Sequence, residues 1–180
     1  MLAYDSNIFY KASADCRHAQ DPNKCMGYKV AASKALEAGK VHGCLIPNTV
    51  QREVRKHIID EYAYFCDRQI LDGNEKRFVE KFVDKLVAVA MKDEKFLVTC
   101  TSMGKDRLER IARARRGDWR IVAETLAEGK DITLVSFDHN IVDDYCVKVY
   151  KKVAEDVANK MKYKTGKWSA KRPELLEVRP

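Results

Sequence analysis

The sequence predicts an α/β fold in which helices cover both faces of a central, mainly parallel sheet of about five strands. Short apolar runs rich in strand-forming residues alternate with longer amphipathic segments, and turn residues separate them. Such alternation is typical of β-α-β crossovers, which give a three-layer α/β/α sandwich. A length of 180 residues suits one well-buried core. We therefore expect one domain over residues 1–150, followed by a basic C-terminal extension over residues 151–180.

The clearest helix and strand lie together at 117–138. Apolar residues recur at helical spacing from Trp119 to Ala127, and Gly129 stands where a left-handed residue ends a helix. Residues 132–137 then form a brief apolar run that is typical of a buried parallel strand, and the run ends on Asp138. Because open parallel sheets bind ligands beyond the carboxyl ends of their strands, we expect chemistry at Asp138.

The first half of the chain predicts two further strands, at residues 2–4 and 43–46. A helix is expected over about 27–38, with Gly39 at its end. After the second strand, Asn48 is placed to cap a helix that continues to Phe65, with Gln51 completing a capping box.

The second half predicts a helix over about 78–90 and two more strands. These strands are the apolar run at 96–100 and the alternating run at 146–150.

Composition limits the class of protein. No apolar run approaches the roughly 18 residues of a membrane span, and the amino terminus does not resemble a secretory signal, so we expect a cytoplasmic protein without a membrane partner. The six cysteines are scattered singly, without zinc-ligand spacing, and are expected to be reduced. A net charge of +7 suits an anionic partner.

Four carboxylates stand at positions where a parallel sheet would gather them, namely Asp5, Glu53, Asp118 and Asp138. Each of these residues, taken alone, also fits an ordinary turn, helix cap or ion pair. The prediction of a shared site therefore rests on the four positions together. Carboxylates in one pocket raise each other's pKa, and a divalent ion such as Mg²⁺ resolves that conflict. The chemistry implied is metal-assisted hydrolysis of a phosphodiester.

The same stretches resemble the motifs of PIN-domain nucleases. Asp-Ser-Asn at 5–7 is similar to the opening motif of that family, and residues 47–53 are similar to its second motif. The helix start at 118–123 and the strand Leu-Val-Ser-Phe-Asp at 134–138 are similar to the third and fourth. The resemblance runs from Tyr4 to about Ile141.

This resemblance implies a PIN-like endoribonuclease that depends on Mg²⁺ or Mn²⁺. By matching motif, the metal-binding and catalytic residues would be Asp5, Glu53, Asp118 and Asp138, supported by Asn7, Ser136 and Asn140. Many relatives carry another Asp where this chain has Asn140, so one and two metal ions both stay open, with Asp143 as a substitute ligand.

Basic residues provide candidate contacts to RNA. Residues 148–180 hold ten Lys or Arg against four Asp or Glu, and aromatic residues stand among them. The predicted nucleic-acid-binding residues are Arg113, Arg115, Arg116, Lys162, Lys164, Lys167 and Trp168.

Several functions remain open at this stage. The enzyme is expected either as a toxin ribonuclease held inactive by a small antitoxin protein or as an RNA-processing enzyme, and the resemblance makes a homodimer one expected state. The alternative is a non-catalytic RNA-binding or scaffold protein that keeps the PIN-like fold. Phosphate-binding glycine loops and the Asp-x-Asp motif of aspartate-dependent phosphatases are absent from the sequence.

Overall fold

The computed structural model describes residues 1–101 and 116–176, which form helices around a five-stranded sheet. The strands are β1 (Leu2–Tyr4), β2 (Cys44–Ile46), β3 (Asp67–Arg68), β4 (Ile132–Val135) and β5 (Trp168–Lys171). Their order across the sheet is β3-β2-β1-β4-β5, and all neighbouring pairs are parallel. The predicted α/β class with a parallel sheet is confirmed.

The centre of the sheet is β1, whose Ala3 lies opposite Leu45 of β2 and Leu134 of β4. All residues of β1 and β2 are buried, as their unbroken apolar sequences require in a sheet covered on both faces. The chain builds β2 and β3 on one side of β1 and then crosses to build β4 and β5 on the other. The order of the strands therefore reverses between β1 and β4, where parallel sheets bind their ligands.

Helices fill the connections between the strands. They are α1 (Ser6–Ala12), α2 (Pro22–His42), α3 (Asn48–Glu53), α4 (Lys56–Tyr62), α5 (Gly73–Lys92), α6 (Glu94–Thr101), α7 (Arg116–Ala127), α8 (His139–Val142) and α9 (Asp144–Met161). Helix α1 packs on α2, whereas α5 packs on α7 and α9. These two groups of helices are compatible with the predicted three-layer sandwich. Within the described residues, no helix combines the length and the apolar character needed to cross a membrane.

Helix α2 is longer than predicted because its signals lie further out. Asp21 accepts a hydrogen bond from the Lys24 amide, Pro22 occupies the first turn, and Gly43 ends the helix with φ 75°. Gly39, the predicted end, is buried inside the helix instead. A Cβ at that position would clash with the Tyr4 hydroxyl oxygen, so glycine lets α2 approach β1 closely.

Two predicted strands are wrong. Residues 96–100 lie within α6, where Phe96, Leu97 and Cys100 are buried at helical spacing. Residues 146–150 lie within α9, which buries Cys146 and Tyr150 on one face. Each stretch has four apolar residues in five. So short a pattern fits either a strand or a turn of a buried helix, and the tertiary packing decides between them.

The helix predicted from Asn48 to Phe65 is also wrong in detail. It is interrupted after Glu53, where Val54 adopts an extended conformation, and resumes as α4. Pro47 is the N-cap of α3, and no side chain caps the helix. The side-chain Nε2 of Gln51 instead donates to the carbonyl oxygens of Ile46 and Gln69, at 2.9 and 3.0 Å.

The predicted boundary at residue 150 falls inside α9, and part of the predicted extension belongs to the sheet. Strand β5 pairs with β4 from Ile132↔Trp168 to Val135↔Lys171. Residues 151–176 are therefore part of the same fold as the rest of the described chain.

The cysteines correct another expectation, because all six form disulfides. The pairs are Cys16–Cys25, Cys44–Cys66 and Cys100–Cys146. Their sequence positions carry no pairing signal, because the connectivity of cysteines cannot be deduced from sequence alone. Disulfides persist mainly in oxidising compartments, with the intracellular proteins of hyperthermophiles as an exception. The cytoplasmic location stays a prediction, and the disulfides do not support it.

Candidate active site

The candidate site begins with Asp5, the residue that follows β1. Its amide donates to the carbonyl oxygen of Val135 at 3.0 Å, which ties it to the end of β4. Its side chain caps α1 by accepting from the Ser6 amide at 2.7 Å. The residue is only 4% exposed. A carboxylate is thus buried at the carboxyl edge of the sheet, beside the point where the strand order reverses.

Two polar side chains hold the second oxygen of Asp5. The Ser136 hydroxyl donates to Oδ2 at 2.6 Å, and Nδ2 of Asn7 donates to the same atom at 2.8 Å. The hydroxyl of Ser136 is fully buried and also accepts from the amide of Asp138 at 2.9 Å. Asn7 and Ser136, two of the three predicted supporting residues, therefore contact Asp5 and link the ends of β1 and β4.

Asp138 lies beyond β4 on the same edge. Its Oδ1 accepts from the Asn140 amide at 2.9 Å, so the side chain also caps the short helix α8. Asn140 is buried, and its carbonyl oxygen accepts from the Tyr150 hydroxyl at 2.6 Å. The next acid, Asp143, caps α9 by accepting from the Tyr145 and Cys146 amides. Asp138 therefore caps a helix, as it would in an ordinary turn. Its backbone amide also contacts Ser136, which holds Asp5.

Glu53 reaches the cluster from α3, where it is exposed. The Ser6 hydroxyl donates to its Oε2 at 2.5 Å, and the Tyr10 hydroxyl donates to its backbone oxygen at 2.6 Å. Its other carboxylate oxygen faces the start of α7, because a Cβ added to Gly117 would lie 3.0 Å from Oε1. Asp118 stands beside that glycine in the first turn of α7. Glu53 therefore lies between Ser6, which follows Asp5, and Gly117, which precedes Asp118.

Electrostatics show which acids share one environment. The pKa of Asp5 is raised to about 7, chiefly because burial disfavours its charge. The negative charges of Asp118 and Asp138 raise this pKa further, whereas hydrogen bonds from Ser136 and the Ser6 amide oppose the rise. Asp118 and Asp138 thus each act on Asp5 as like charges.

The site can be tested for its fit to a divalent cation. In the chain as described, no group of three or more His, Cys, Asp or Glu side chains is placed to enclose a metal ion. Mg²⁺ needs no such cage, since it commonly binds one or two carboxylates and keeps several waters. Asp5 receives three hydrogen bonds, whereas a carboxylate has about four acceptor positions. This oxygen-rich, mutually repelling donor set fits a hard cation.

The predicted RNA contacts are distributed differently from the acids. Arg113 and Arg115 lie outside the described residues, as does the side chain of Arg116. Lys167 precedes β5, and its amide donates to Oδ1 of Asp131 before β4. It therefore lies at the amino edge of the parallel sheet, opposite the acids.

The other C-terminal candidates share that region. Lys162 ends α9, and the next residue, Tyr163, donates its hydroxyl to the carbonyl oxygen of Ala127 at the end of α7. The carbonyl oxygen of Lys164 lies close to Gly129, just beyond α7. The prediction for Trp168 is wrong, because the ring is 5% exposed and its Nε1 donates to the Thr125 hydroxyl at 2.8 Å. A buried ring cannot stack on an exposed base.

Sequence reasoning assigned no role to Ser6 or to Glu124. Ser6 stands directly after Asp5, but its contact with Glu53 depends on how α1 meets α3. Glu124 is fully buried in α7 and accepts from the amide and hydroxyl of Thr49, at 2.9 and 2.6 Å. Its pKa is raised by burial, against the opposing hydrogen bonds from Thr49. Glu124 fixes the start of α3, the helix that ends at Glu53. The sequence held no local signal for this role, because Glu124 lies on the side of the predicted helix away from its apolar face.

Comparisons of the chain with protein-family models, with curated proteins and with solved structures found no match.

Proposed function

We propose that this chain is a metal-dependent endoribonuclease with a PIN-like fold. The observation that carries the proposal is Asp5, a buried carboxyl at the reversal of strand order whose pKa Asp118 and Asp138 raise by their charges. A cluster of like charges at a ligand-binding edge is a candidate catalytic site. The chain's net charge of +7 suits a polyanionic substrate.

In this proposal Asp5, Asp118 and Asp138 would hold Mg²⁺ or Mn²⁺, with Glu53 bound directly or through water. Such an ion supplies a hydroxide nucleophile from bound water and neutralises charge on the phosphodiester under attack. Asn7 and Ser136 keep Asp5 in its orientation by donating to Oδ2. Ser6 occupies Oε2 of Glu53, so Oε1 is the oxygen that would accept a proton from the attacking water.

The biological setting has two candidates under this proposal. A toxin ribonuclease would be held inactive by a small antitoxin protein, whereas an RNA-processing enzyme would act without one. A homodimer is compatible with either.

The proposal is tested by cleavage of a mixed pool of single-stranded and hairpin RNAs in Mg²⁺, Mn²⁺ or EDTA. Wild type is compared with Asp5→Asn, Asp138→Asn and the matched control Glu155→Gln, which changes an exposed acid of α9 away from the cluster. We expect metal-dependent cleavage by wild type and the control, and a loss of at least about 100-fold in both Asp variants. Equal cleavage by all four proteins would refute the assignment.

Direct binding of Mn²⁺ gives a second readout that does not depend on turnover. Titration followed by electron paramagnetic resonance measures the free ion, and Asp5→Asn should bind it more weakly than wild type because one anionic ligand is lost. Unchanged Mn²⁺ affinity in Asp5→Asn would remove Asp5 from the ligand set.

A second candidate function is a non-catalytic RNA-binding or scaffold protein. It is favoured by one observation, that the acids of the described chain form no ready-made group of three metal ligands. RNA binding without Mn²⁺ binding or cleavage would support it over the nuclease.

A further inference from the structure

Beside the acids lies a pair of aromatic rings that sequence reasoning did not single out. Tyr28 of α2 and Phe137, the residue before Asp138, meet edge to face with ring centroids 5.2 Å apart. Both rings are partly exposed, unlike the buried pairs of the core such as Tyr150 and Trp168. Partly exposed rings retain surface on which another flat group can stack.

Three cations surround this ring pair. Nζ of Lys11 lies 4.8 Å from the Tyr28 ring centroid, and Nζ of Lys24 lies 6.0 Å from it. The guanidinium carbon of Arg172 lies 5.8 Å from the Phe137 ring centroid, and its Nη1 donates to the Phe137 carbonyl oxygen at 3.3 Å. Arg172 also pairs with Glu174 at 3.3 Å. The ring pair thus has cations next to both of its rings.

The ring pair is physically joined to the acidic site. The Phe137 amide donates to Oδ1 of Asn7 at 3.2 Å, and Nδ2 of the same Asn7 donates to Asp5. Lys11 follows Asn7 by four residues on α1, so both lie on one face of that helix. The cations and rings therefore occupy the same edge of the sheet as Asp5 and Asp138.

Aromatic faces among cations suit an unpaired nucleotide. Bases of any identity stack on aromatic side chains, while Lys and Arg neutralise the phosphates on either side. An edge that carried only the acids would repel those phosphates, and the cations offset this repulsion.

We infer that Tyr28, Phe137, Lys11, Lys24 and Arg172 form a subsite that holds an unpaired nucleotide of RNA next to the acidic cluster. The identity of the ligand rests on the proposed function. A merely structural role, in which the rings and cations fix α2 and the segment after β5 to the sheet, makes different predictions.

The test measures binding of a fluorescent single-stranded RNA to the full chain in EDTA, so that cleavage does not interfere. Tyr28→Ala should weaken binding about five- to 150-fold, the range measured for loss of one stacked base. Tyr28→Phe should bind as wild type does, because the ring remains. An RNA with abasic sites should remove the difference between Tyr28→Ala and wild type.

Matched controls come from the opposite edge of the sheet. Tyr64 and Phe65 form a similar edge-to-face pair, 5.3 Å between centroids, beside Lys40 and before β3. Tyr64→Ala should leave binding unchanged. Lys11→Gln should lower the slope of log affinity against log salt by about 0.7 on intact and abasic RNA alike. Lys164→Gln should change this slope less.

The outcomes separate this inference from the nuclease proposal. Weaker binding by Tyr28→Ala with no metal-dependent cleavage by wild type would keep the subsite and refute the nuclease. Equal binding by wild type, Tyr28→Ala and Lys11→Gln would overturn the subsite, whatever the cleavage assay shows. If thermal unfolding shows that Tyr28→Ala is not folded, the subsite is tested by the salt slopes of Arg172→Gln and Lys11→Gln instead.

Discussion

The buried carboxyl of Asp5 should make the stability of the whole fold depend on pH. Its pKa rises from 3.8 in the unfolded reference to about 7 in the folded chain. The folded state therefore binds this proton more tightly than the unfolded state does. Protonated Asp5 therefore stabilises the folded state fully at pH values below the unfolded pKa of 3.8. This stabilisation is lost as the pH rises through about 7.

The magnitude follows from the two pKa values. One unit of pKa is worth about 1.36 kcal/mol, so the full effect is about 4 kcal/mol. Most of that loss has occurred by about pH 6, and linkage leaves about 1 kcal/mol to be lost between about pH 6 and about pH 8. Other titrating groups, including Glu124, contribute to the same pH profile. The contribution of Asp5 is the difference between wild type and Asp5→Asn.

Urea unfolding of wild type and Asp5→Asn in EDTA, at several pH values in this range, measures that difference. Wild type should lose about 1 kcal/mol more of its free energy of unfolding than the variant over this range. The substitution also places an amide donor opposite the donors of Asn7 and Ser136, but this cost does not change with pH. Asp60→Asn, which changes an exposed partner of Arg68, is the control and should keep the wild-type slope. Parallel pH profiles for wild type and Asp5→Asn would refute the reasoning.

Three further perturbations probe the surroundings of the site. Thr49→Val removes the hydroxyl donor from buried Glu124 and should lower the urea-unfolding free energy by about 1–3 kcal/mol; an unchanged midpoint would show that water replaces the hydroxyl. Gly117→Ala places a Cβ 3.0 Å from Oε1 of Glu53 and should slow RNA cleavage without lowering the melting temperature; wild-type cleavage would show that Glu53 shifts freely. Replacing the Cys100–Cys146 disulfide by two serines opens a separation of 46 residues. Chain entropy then predicts a loss of about 4 kcal/mol, measured by urea unfolding, and a loss below about 1 kcal/mol would contradict that estimate.

The parts of the fold that sequence predicted correctly are those with redundant local signals. The helix before β4 has an apolar face, and Gly129 beyond its end has the predicted positive φ, at 69°. The strands at 2–4 and 132–135 are short runs of mostly apolar, strand-forming residues. By contrast, β5 reads Trp-Ser-Ala-Lys and has no such run, so its place at the edge of the sheet depended on long-range pairing with β4.

The candidate site was predictable in its acids but not in its surroundings. Asp5 directly follows β1 and Asp138 lies three residues beyond the end of β4. Parallel strands end at one edge, so topology alone brings the two acids to that edge. The pairing of Glu53 with Ser6, and of Tyr28 with Phe137, depends on how α3 and α2 pack against the edge. Packing of this kind joins residues far apart in sequence, and no local pattern encodes it.

The distance between the two edges of the sheet decides which cations can act on a phosphate bound beside the acids. Lys167 stands before β5, level with the start of β4, whereas Asp138 follows the end of β4. At about 3.3 Å per residue, the four residues of β4 put at least about 13 Å between these edges. The Debye length at physiological salt is about 8 Å, so an exposed lysine at the amino edge is largely screened from a phosphate at Asp5. Lys11 and Arg172 lie at the acidic edge instead, because Lys11 shares a face of α1 with Asn7 and Arg172 donates to the carbonyl oxygen of Phe137. Binding at the acidic site should therefore owe its salt dependence to these cations rather than to the lysine-rich C-terminal residues.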